Sequence, residues 1–410
     1  MILNSNVVKL KGISSLPSAL PVNLTSITFG AEFDDALLAG YLPPNLKKLK
    51  FSWDCIFNQP IRSGVLPNTL EKLSFSEYFN QALEPNVLPS SLTYLELGYD
   101  YSHTLQVGSL PPNLRVLIHH GFSEISNGVL PKSLCTLKGA ALSWIPFIKP
   151  LPNLTALSFF HVTTNITLDL SNLPASLTSL DINATCRLTS TVSPSIKHLN
   201  LTGLSYDIDE IFKDRSQYHF EELSVDAFKQ ESLDNLKIKE LILRFPVNVR
   251  QGTLRDIPCG VETLNFGTNQ QIKIRTKQNE FPSSLRKIIF QNCSTISSLD
   301  FQIPNTIEEV VIQEILYVDN GYPFTSELIP NSVKSMTVPS SMIEYAFLFD
   351  RLPSVTNICF ARIKNRVDLQ VRKIYGYHYL IFGQYNDKFI AAIVSSLLSE
   401  FIDNMIEDEQ

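Results

Sequence analysis

The sequence predicts a mainly β solenoid, a chain wound into successive coils that each give one short strand to a long parallel sheet. Three observations lead there. A Leu-Pro-x-(Asn/Ser/Thr)-Leu-x-x-Leu segment recurs along the 410 residues, and the one proline that marks each unit from Pro21 to Pro194 stands 20 to 24 residues from the next. Apolar and polar residues then alternate with period two, as in Leu49-Lys50-Phe51, Leu73-Ser74-Phe75 and Leu95-Glu96-Leu97, the pattern of a short strand with one buried face. Twenty-odd residues leave no room for a full helix and two turns, and a proline at fixed register blocks one beside the strand.

The second apolar anchor of each unit marks its strand. These anchors are Ile27, Leu49, Leu73, Leu95, Leu117, Leu137, Leu157, Leu180, Leu199, Leu223, Leu241, Leu264, Ile288, Val310, Met336 and Ile358, which predicts about sixteen strands. Identical coils stack on their neighbours, so the strands pair in parallel. The residue before the first Leu is short and polar (Thr69, Ser91, Asn113, Ser133, Asn153, Ser176, Ser195, Ser284), and such side chains can bond backbone groups at the corner after the proline. Beyond the strand comes an aromatic residue with a polar follower: Phe33-Asp34, Phe57-Asn58, Phe79-Asn80 and Tyr101-Ser102. The rings are expected to stack as a spine, with the polar follower satisfying the descending loop.

The array divides into an N-terminal cap over 1–20, well-formed repeats over 21–202, degenerate repeats over 203–360 and a C-terminal cap over 361–410. A solenoid must cover its terminal apolar edges. Phe389, Ile390, Ile393, Val394, Leu397, Leu398, Phe401, Ile402, Met405 and Ile406 recur at three- and four-residue spacing, which predicts an amphipathic capping helix after a hairpin around 366–384. Residues 203–235 break the period, and Asp207-Ile-Asp-Glu-Ile-Phe-Lys-Asp-Arg-Ser216, which carries no Leu-Pro, is expected to insert a short helix on the convex side or to mark where the array changes curvature.

Composition narrows the function. The chain is 44% apolar and 18% charged, with a net charge of −6, which argues against a nucleic-acid partner, since such proteins need a basic surface. The start, Met1-Ile-Leu-Asn-Ser-Asn-Val-Val8, has no basic n-region and no long apolar run, so an intracellular, cytoplasmic protein without a signal peptide or membrane span is expected. The six cysteines form no Cys-x-x-Cys and read as reduced thiols. Seven histidines are scattered; His119 falls on a buried strand position while His120 faces out, so the pair cannot chelate one ion. Acid, base and nucleophile motifs are absent. No catalytic residue, cofactor or metal is expected.

Phe57-Asn58-Gln59-Pro60-Ile61, running into Gly64-Val-Leu-Pro-Asn-Thr-Leu-Glu-Lys-Leu-Ser-Phe75, resembles the FNIP repeat, a relative of leucine-rich repeats abundant in social amoebae and giant viruses. The resemblance is close over 20–135, recognisable to about 200 and degenerate over 205–360; Tyr379 to Ile393 also resembles the segment that closes such arrays. It implies a leucine-rich-repeat-like horseshoe used for binding. Phe57, Asn58, Pro60, Phe79 and Asn80 are structural motif residues of the repeat, and no catalytic group comes with them. Family members can carry an F-box or a kinase domain; the first repeat-like strand begins at Val7 and no kinase motif follows, so an array with its caps alone is expected.

What remains is surface. Strand residues between the anchors are expected on the concave side: Lys48, Lys50 and Lys72, then Tyr94 and Glu96, Val116 and Ile118, and Phe160, with Ser224, Ile242 and Ile289 among those further on. Tyr94, Val116, Ile118 and Phe160 make the apolar centre of a face suited to a protein partner. The expected function is a non-catalytic scaffold binding an unidentified protein, with a monomer favoured. The alternative is a substrate-recognition subunit of a ubiquitin ligase that lacks its own F-box.

Overall fold

A computed structural model describes residues 7–226, 233–245, 251–254, 257–267, 273–276, 281–292, 299, 302–314, 326–361, 367–376, 378–385 and 388–407. The chain divides into two compact units, Met1–His198 with Gly203–Lys213 and Leu199–Thr202 with Asp214–Gln410. Each is a parallel β solenoid, and each of the sixteen anchors lies in a strand.

The first unit holds β1 (Lys9–Ile13), β2 (Ser26–Phe29), β3 (Lys48–Phe51), β4 (Lys72–Ser74), β5 (Tyr94–Leu97), β6 (Val116–His119), β7 (Thr136–Ala140), β8 (Ala156–Asp169) and β9 (Ser179–Thr189). Successive strands pair in parallel and in register, so Leu49 faces Leu73, Leu73 faces Leu95 and Leu95 faces Leu117. All four are essentially buried. In most coils the proline carbonyl accepts from the amide three residues on, as in Leu46 N to Pro43 O (3.1 Å) and Leu70 N to Pro67 O (3.0 Å). That turn aims the first Leu of each unit into the core.

Side chains then tie coil to coil. The hydroxyl or amide before the first Leu donates to a carbonyl one coil back: Thr69 Oγ1 to Leu46 O (2.9 Å), Ser91 Oγ to Leu70 O (2.7 Å), Ser133 Oγ to Leu114 O (2.7 Å) and Asn113 Nδ2 to Ser90 O (2.9 Å). Each such bond contributes about 1 kcal/mol net. On the far side of the coil the polar follower of the aromatic residue is an acceptor. Asp34 Oδ1 takes the Asn58 amide (3.0 Å), Asn58 Oδ1 the Asn80 amide (2.9 Å) and Asn80 Oδ1 the Ser102 amide (3.1 Å). Inside, two rows of rings interleave. Phe33, Phe57, Phe79 and Tyr101 stand 5.8, 6.1 and 6.2 Å apart, while Phe51 and Phe75 pack on Phe57 and Phe79 at 4.2 and 3.7 Å. Beyond Tyr101 the stack changes character: His119 meets it edge-on at 6.1 Å and leans on Trp144 at 5.2 Å.

Not every strand is short. β8 and β9 run for 14 and 11 residues, where the alternation alone predicts three to five. The segment Val162-Thr-Thr-Asn-Ile-Thr-Leu168 is rich in β-branched residues, so the extended chain continues past the corner. Register shifts between Phe159 and Ile166 mark where it bends, and Ile166 and Leu168 pair with Cys186 and Leu188 on the other side. In the irregular segment a four-residue helix, Ile208–Ile211, is capped by Asp207, whose carboxylate accepts from the amides of Asp209 and Glu210.

A short strand β10 (His198–Asn200) lies where the units divide. The second unit continues with β11 (His219–Asp226), β12 (Lys237–Arg244), β13 (Gln251–Leu254), β14 (Thr263–Phe266), β15 (Lys273–Thr276), β16 (Lys287–Asn292), β17 (Glu309–Glu314), β18 (Ser335–Pro339) and β19 (Asn357–Ala361). β13 and β15 pair with each other; the others form the main parallel ladder. Ser224, Ile242 and Ile289, expected on the solvated side, are instead buried at 2%, 9% and 9% exposure. The register Ser224–Ile242–Asn265–Ile289–Val311 puts them in one row. Adjacent strands are about 4.8 Å apart, so side chains of that row cover one another.

The C-terminus differs from the sequence expectation in one respect. β20 (Val367–Tyr375), β21 (His378–Tyr385) and β22 (Lys388–Val394) extend β19 as antiparallel strands, and the helix begins only at Leu398 and ends at Glu407. Phe389, Ile390, Ile393 and Val394 therefore belong to a strand. Their spacing suits either period over so short a run, and pairing with β21 decides it. The side chains of Met405 and Ile406 lie outside the described residues. The helix start is held by Asp350, whose carboxylate accepts from the amides of Leu398 (2.9 Å) and Ser399 (3.2 Å) and from the Ser399 hydroxyl (2.7 Å).

Candidate protein-binding face

The outward residues of β3 to β7 form two rows fixed by strand register. Lys48, Lys72, Tyr94, Val116 and Thr136 make one; Lys50, Ser74, Glu96, Ile118 and Lys138 make the other. Rigid strands hold their Cβ atoms, so this face is displayed without further ordering cost. Lys48, Lys50 and Lys72 are exposed, and Tyr94, Glu96, Val116 and Ile118 are half-buried. Phe160 belongs to β8, and its side chain lies outside the described residues.

Three of the expected residues are joined directly. Lys72 Nζ stands 5.7 Å from the centre of the Tyr94 ring, within cation–π range. The Tyr94 hydroxyl donates to Glu96 Oε2 at 3.2 Å, and His120 Nε2 lies 3.8 Å from Glu96 Oε1. Burial, with the Glu96 charge next in weight, pushes the Tyr94 hydroxyl up to about 12, so it remains a donor. The Glu96 carboxyl is held below its usual range, chiefly by the His120 imidazole beside it, which keeps it ionised.

From His120 the constellation extends to residues the sequence reading did not select. Trp53 and Tyr99 meet edge to face at 5.2 Å, and His120 lies 5.9 Å from Trp53 and 5.1 Å from Tyr99. Trp53 and Tyr99 are 46% and 43% exposed. Both stand two residues beyond the last inward residue of their strands, Phe51 and Leu97. An aromatic recurring at that offset was the available signal, hidden because the coils between and after carry Glu77 and Gly121 there.

Phe57, Asn58, Phe79 and Asn80 lie within the spine and the acceptor ladder described above, and Pro60 is exposed beyond them. A shallow groove of about 530 Å³ runs along the Leu-Pro corners and is lined by Pro89, Pro111, Pro131 and neighbours, with no acid or base among its lining residues. Among the described residues no three His, Cys, Asp or Glu side chains are placed to hold a metal ion, the cysteines are free thiols, and no helix is long and apolar enough to cross a membrane.

No curated protein matches the chain in sequence. Among solved structures it is similar to CroV588, described as a novel circular leucine-rich-repeat protein, at 21% identity and a TM-score of 0.46; the match covers 83% of this chain and 60% of that one. The chain thus spans about 60% of that protein's length. A leucine-rich repeat protein from Bacteroides ovatus also matches, at 13% identity and a TM-score of 0.15, over 83% of this chain and 84% of its own. The FNIP Repeat family model matches residues 15–54, 57–100 and 79–122, the stretch that carries the acceptor ladder and the stacked rings. Residues 15–54 and 57–122 of the chain thus carry FNIP repeats.

Proposed function

We propose that the first unit is a non-catalytic scaffold that binds a protein partner through the outward face of β3 to β6. The observation that carries this reading is the connected set Lys72–Tyr94–Glu96–His120, continuous with exposed Trp53 and Tyr99. Tyr94 on its strand, with Trp53, Tyr99 and His120 just past the strand ends and half-buried Val116 and Ile118 beside it, supplies the aromatic and aliphatic anchors of an interface core. Lys48, Lys50 and Lys72 give it a charged border. Leucine-rich-repeat-like solenoids serve generally as interaction scaffolds, which supports the reading.

The test is a double replacement, Tyr94→Glu with Ile118→Glu, compared with the unaltered protein by proximity labelling in cells and by pull-down. Both side chains point away from the core, so the variant is expected to keep its circular dichroism spectrum and lose its specific partners. A folded variant with an unchanged partner set refutes the assignment of this patch.

A further inference from the structure

A rim that shares Trp53 and Tyr99 with the strand face lies where the chain leaves β3, β4 and β5. Trp53-Asp54, Glu77-Tyr78 and Tyr99-Asp100 place one ring and one carboxylate on each of three successive coils. The backbone fixes them: Trp53 O accepts from the Glu77 amide at 3.1 Å, and Glu77 O accepts from the Asp100 amide at 2.9 Å. All three rings are open to solvent, Trp53 at 46%, Tyr78 at 44% and Tyr99 at 43%. Asp54 and Asp100 are exposed and Glu77 is half-buried. No Lys or Arg ion pair engages these three carboxylates among the described residues. Their shared field is felt at Tyr78, whose hydroxyl is raised by the hydrogen bond and charge of Glu77 and further by Asp100 and Asp54. The lysines of this region, Lys48, Lys50 and Lys72, belong to the strands themselves, so aromatic surface and negative charge coincide on the rim.

We propose that this rim binds an extended protein segment carrying two basic side chains, arginine above all, about three residues apart. The proposal rests on the scaffold reading and names the chemistry of a partner. Coils are about 4.8 Å apart, so Asp54 and Asp100, two coils apart, are separated by roughly 10 Å along the array, close to one three-residue turn of an extended polyproline II segment, which brings residues i and i+3 to the same side. A guanidinium pairs with a carboxylate in a planar fork and stacks on an aromatic face, whereas an ammonium does neither as well. Trp53 and Tyr99 supply rings beside those carboxylates. A nucleic acid is repelled by the same charges.

The experiment uses the whole chain and a labelled hexapeptide, Gly-Arg-Gly-Gly-Arg-Gly, followed by fluorescence anisotropy and by acrylamide quenching. Quenching reports on Trp53, because the other tryptophan, Trp144, is 1% exposed. The arginine peptide is expected to bind and shield Trp53, and its citrulline counterpart to bind far less. Asp54→Asn with Asp100→Asn removes two exposed charge pairs and their help to ring stacking, which should weaken binding about tenfold. Unchanged affinity in the double Asn variant, equal binding of the citrulline peptide, or no shielding of Trp53 at millimolar peptide overturns the proposal. Each of those results leaves the strand-face reading to stand or fall on its own pull-down.

Discussion

Acid should weaken the first unit through a single side chain, His119. It is 1% exposed, its Nε2 lies 2.8 Å from the Ser123 hydroxyl, and burial is the main cause that lowers its pKa from 6.5 to about 4. The imidazole therefore stays neutral in the folded chain down to about pH 4, while in the unfolded chain it takes a proton from about pH 6.5. Between those values the unfolded state binds one more proton, so stability rises with pH and is lost as pH falls from about 6.5 to about 4. At about 1.4 kcal/mol per pH unit, the gap corresponds to about 3 kcal/mol. The reference is His119→Phe with Ser123→Ala. His119 occupies the inward position that Phe51 and Phe75 hold in earlier coils, and pairs in register with Leu97, so a ring without a titrating group suits the site. Urea unfolding of both proteins is followed by circular dichroism at pH 7, 6, 5 and 4.5. The stability difference between them should shift by about 3 kcal/mol in favour of the variant across that range. Parallel pH profiles would show that His119 is not held neutral, and the reasoning fails.

Two further outcomes follow from single positions. A Cβ on Gly98 would lie 1.9 Å from Ser76 O and 2.6 Å from the Glu77 Cα, both backbone, so Gly98→Ala must push adjacent coils apart and strain the Asp100–Glu77 hydrogen bond; a loss of about 2–4 kcal/mol in urea unfolding is expected, and an unchanged midpoint contradicts it. Asp350→Ala removes the acceptor for two helix amides and for the Ser399 and Tyr379 hydroxyls, and should cost about 1–3 kcal/mol, seen as faster hydrogen exchange over 398–407.

The fold was legible because one period repeats: the anchors Leu49, Leu73 and Leu95 name both the strands and their register. Departures came where a local signal allowed two answers. Phe389 to Val394 fits a helical spacing as well as a strand, and only pairing with β21 settles it. The long β8 runs on because β-branched residues replace a turn. Ser224, Ile242 and Ile289 alternate as outward residues should, yet stacking along their row buries them, and a single strand's pattern carries no information about its neighbours' side-chain size. At the candidate face, strand parity sufficed to place Lys72, Tyr94 and Glu96 together. Trp53 and Tyr99 escaped because their contact joins residues two coils apart on loops, where no periodic rule fixes direction.

The acceptor ladder from Asp34 through Asn58 and Asn80 to Ser102 has a consequence for how such a molecule can change in length. Within that ladder each loop takes an acceptor from its predecessor and offers one to its successor. A block cut out or copied between equivalent points of the motif brings every donor and acceptor with it, so the joint needs no new chemistry. Growth by whole laps is therefore open to this architecture, and each added lap would slide the lysines and rings one rung further from each other or closer, retuning what the surface can grip while the interior stays as it was.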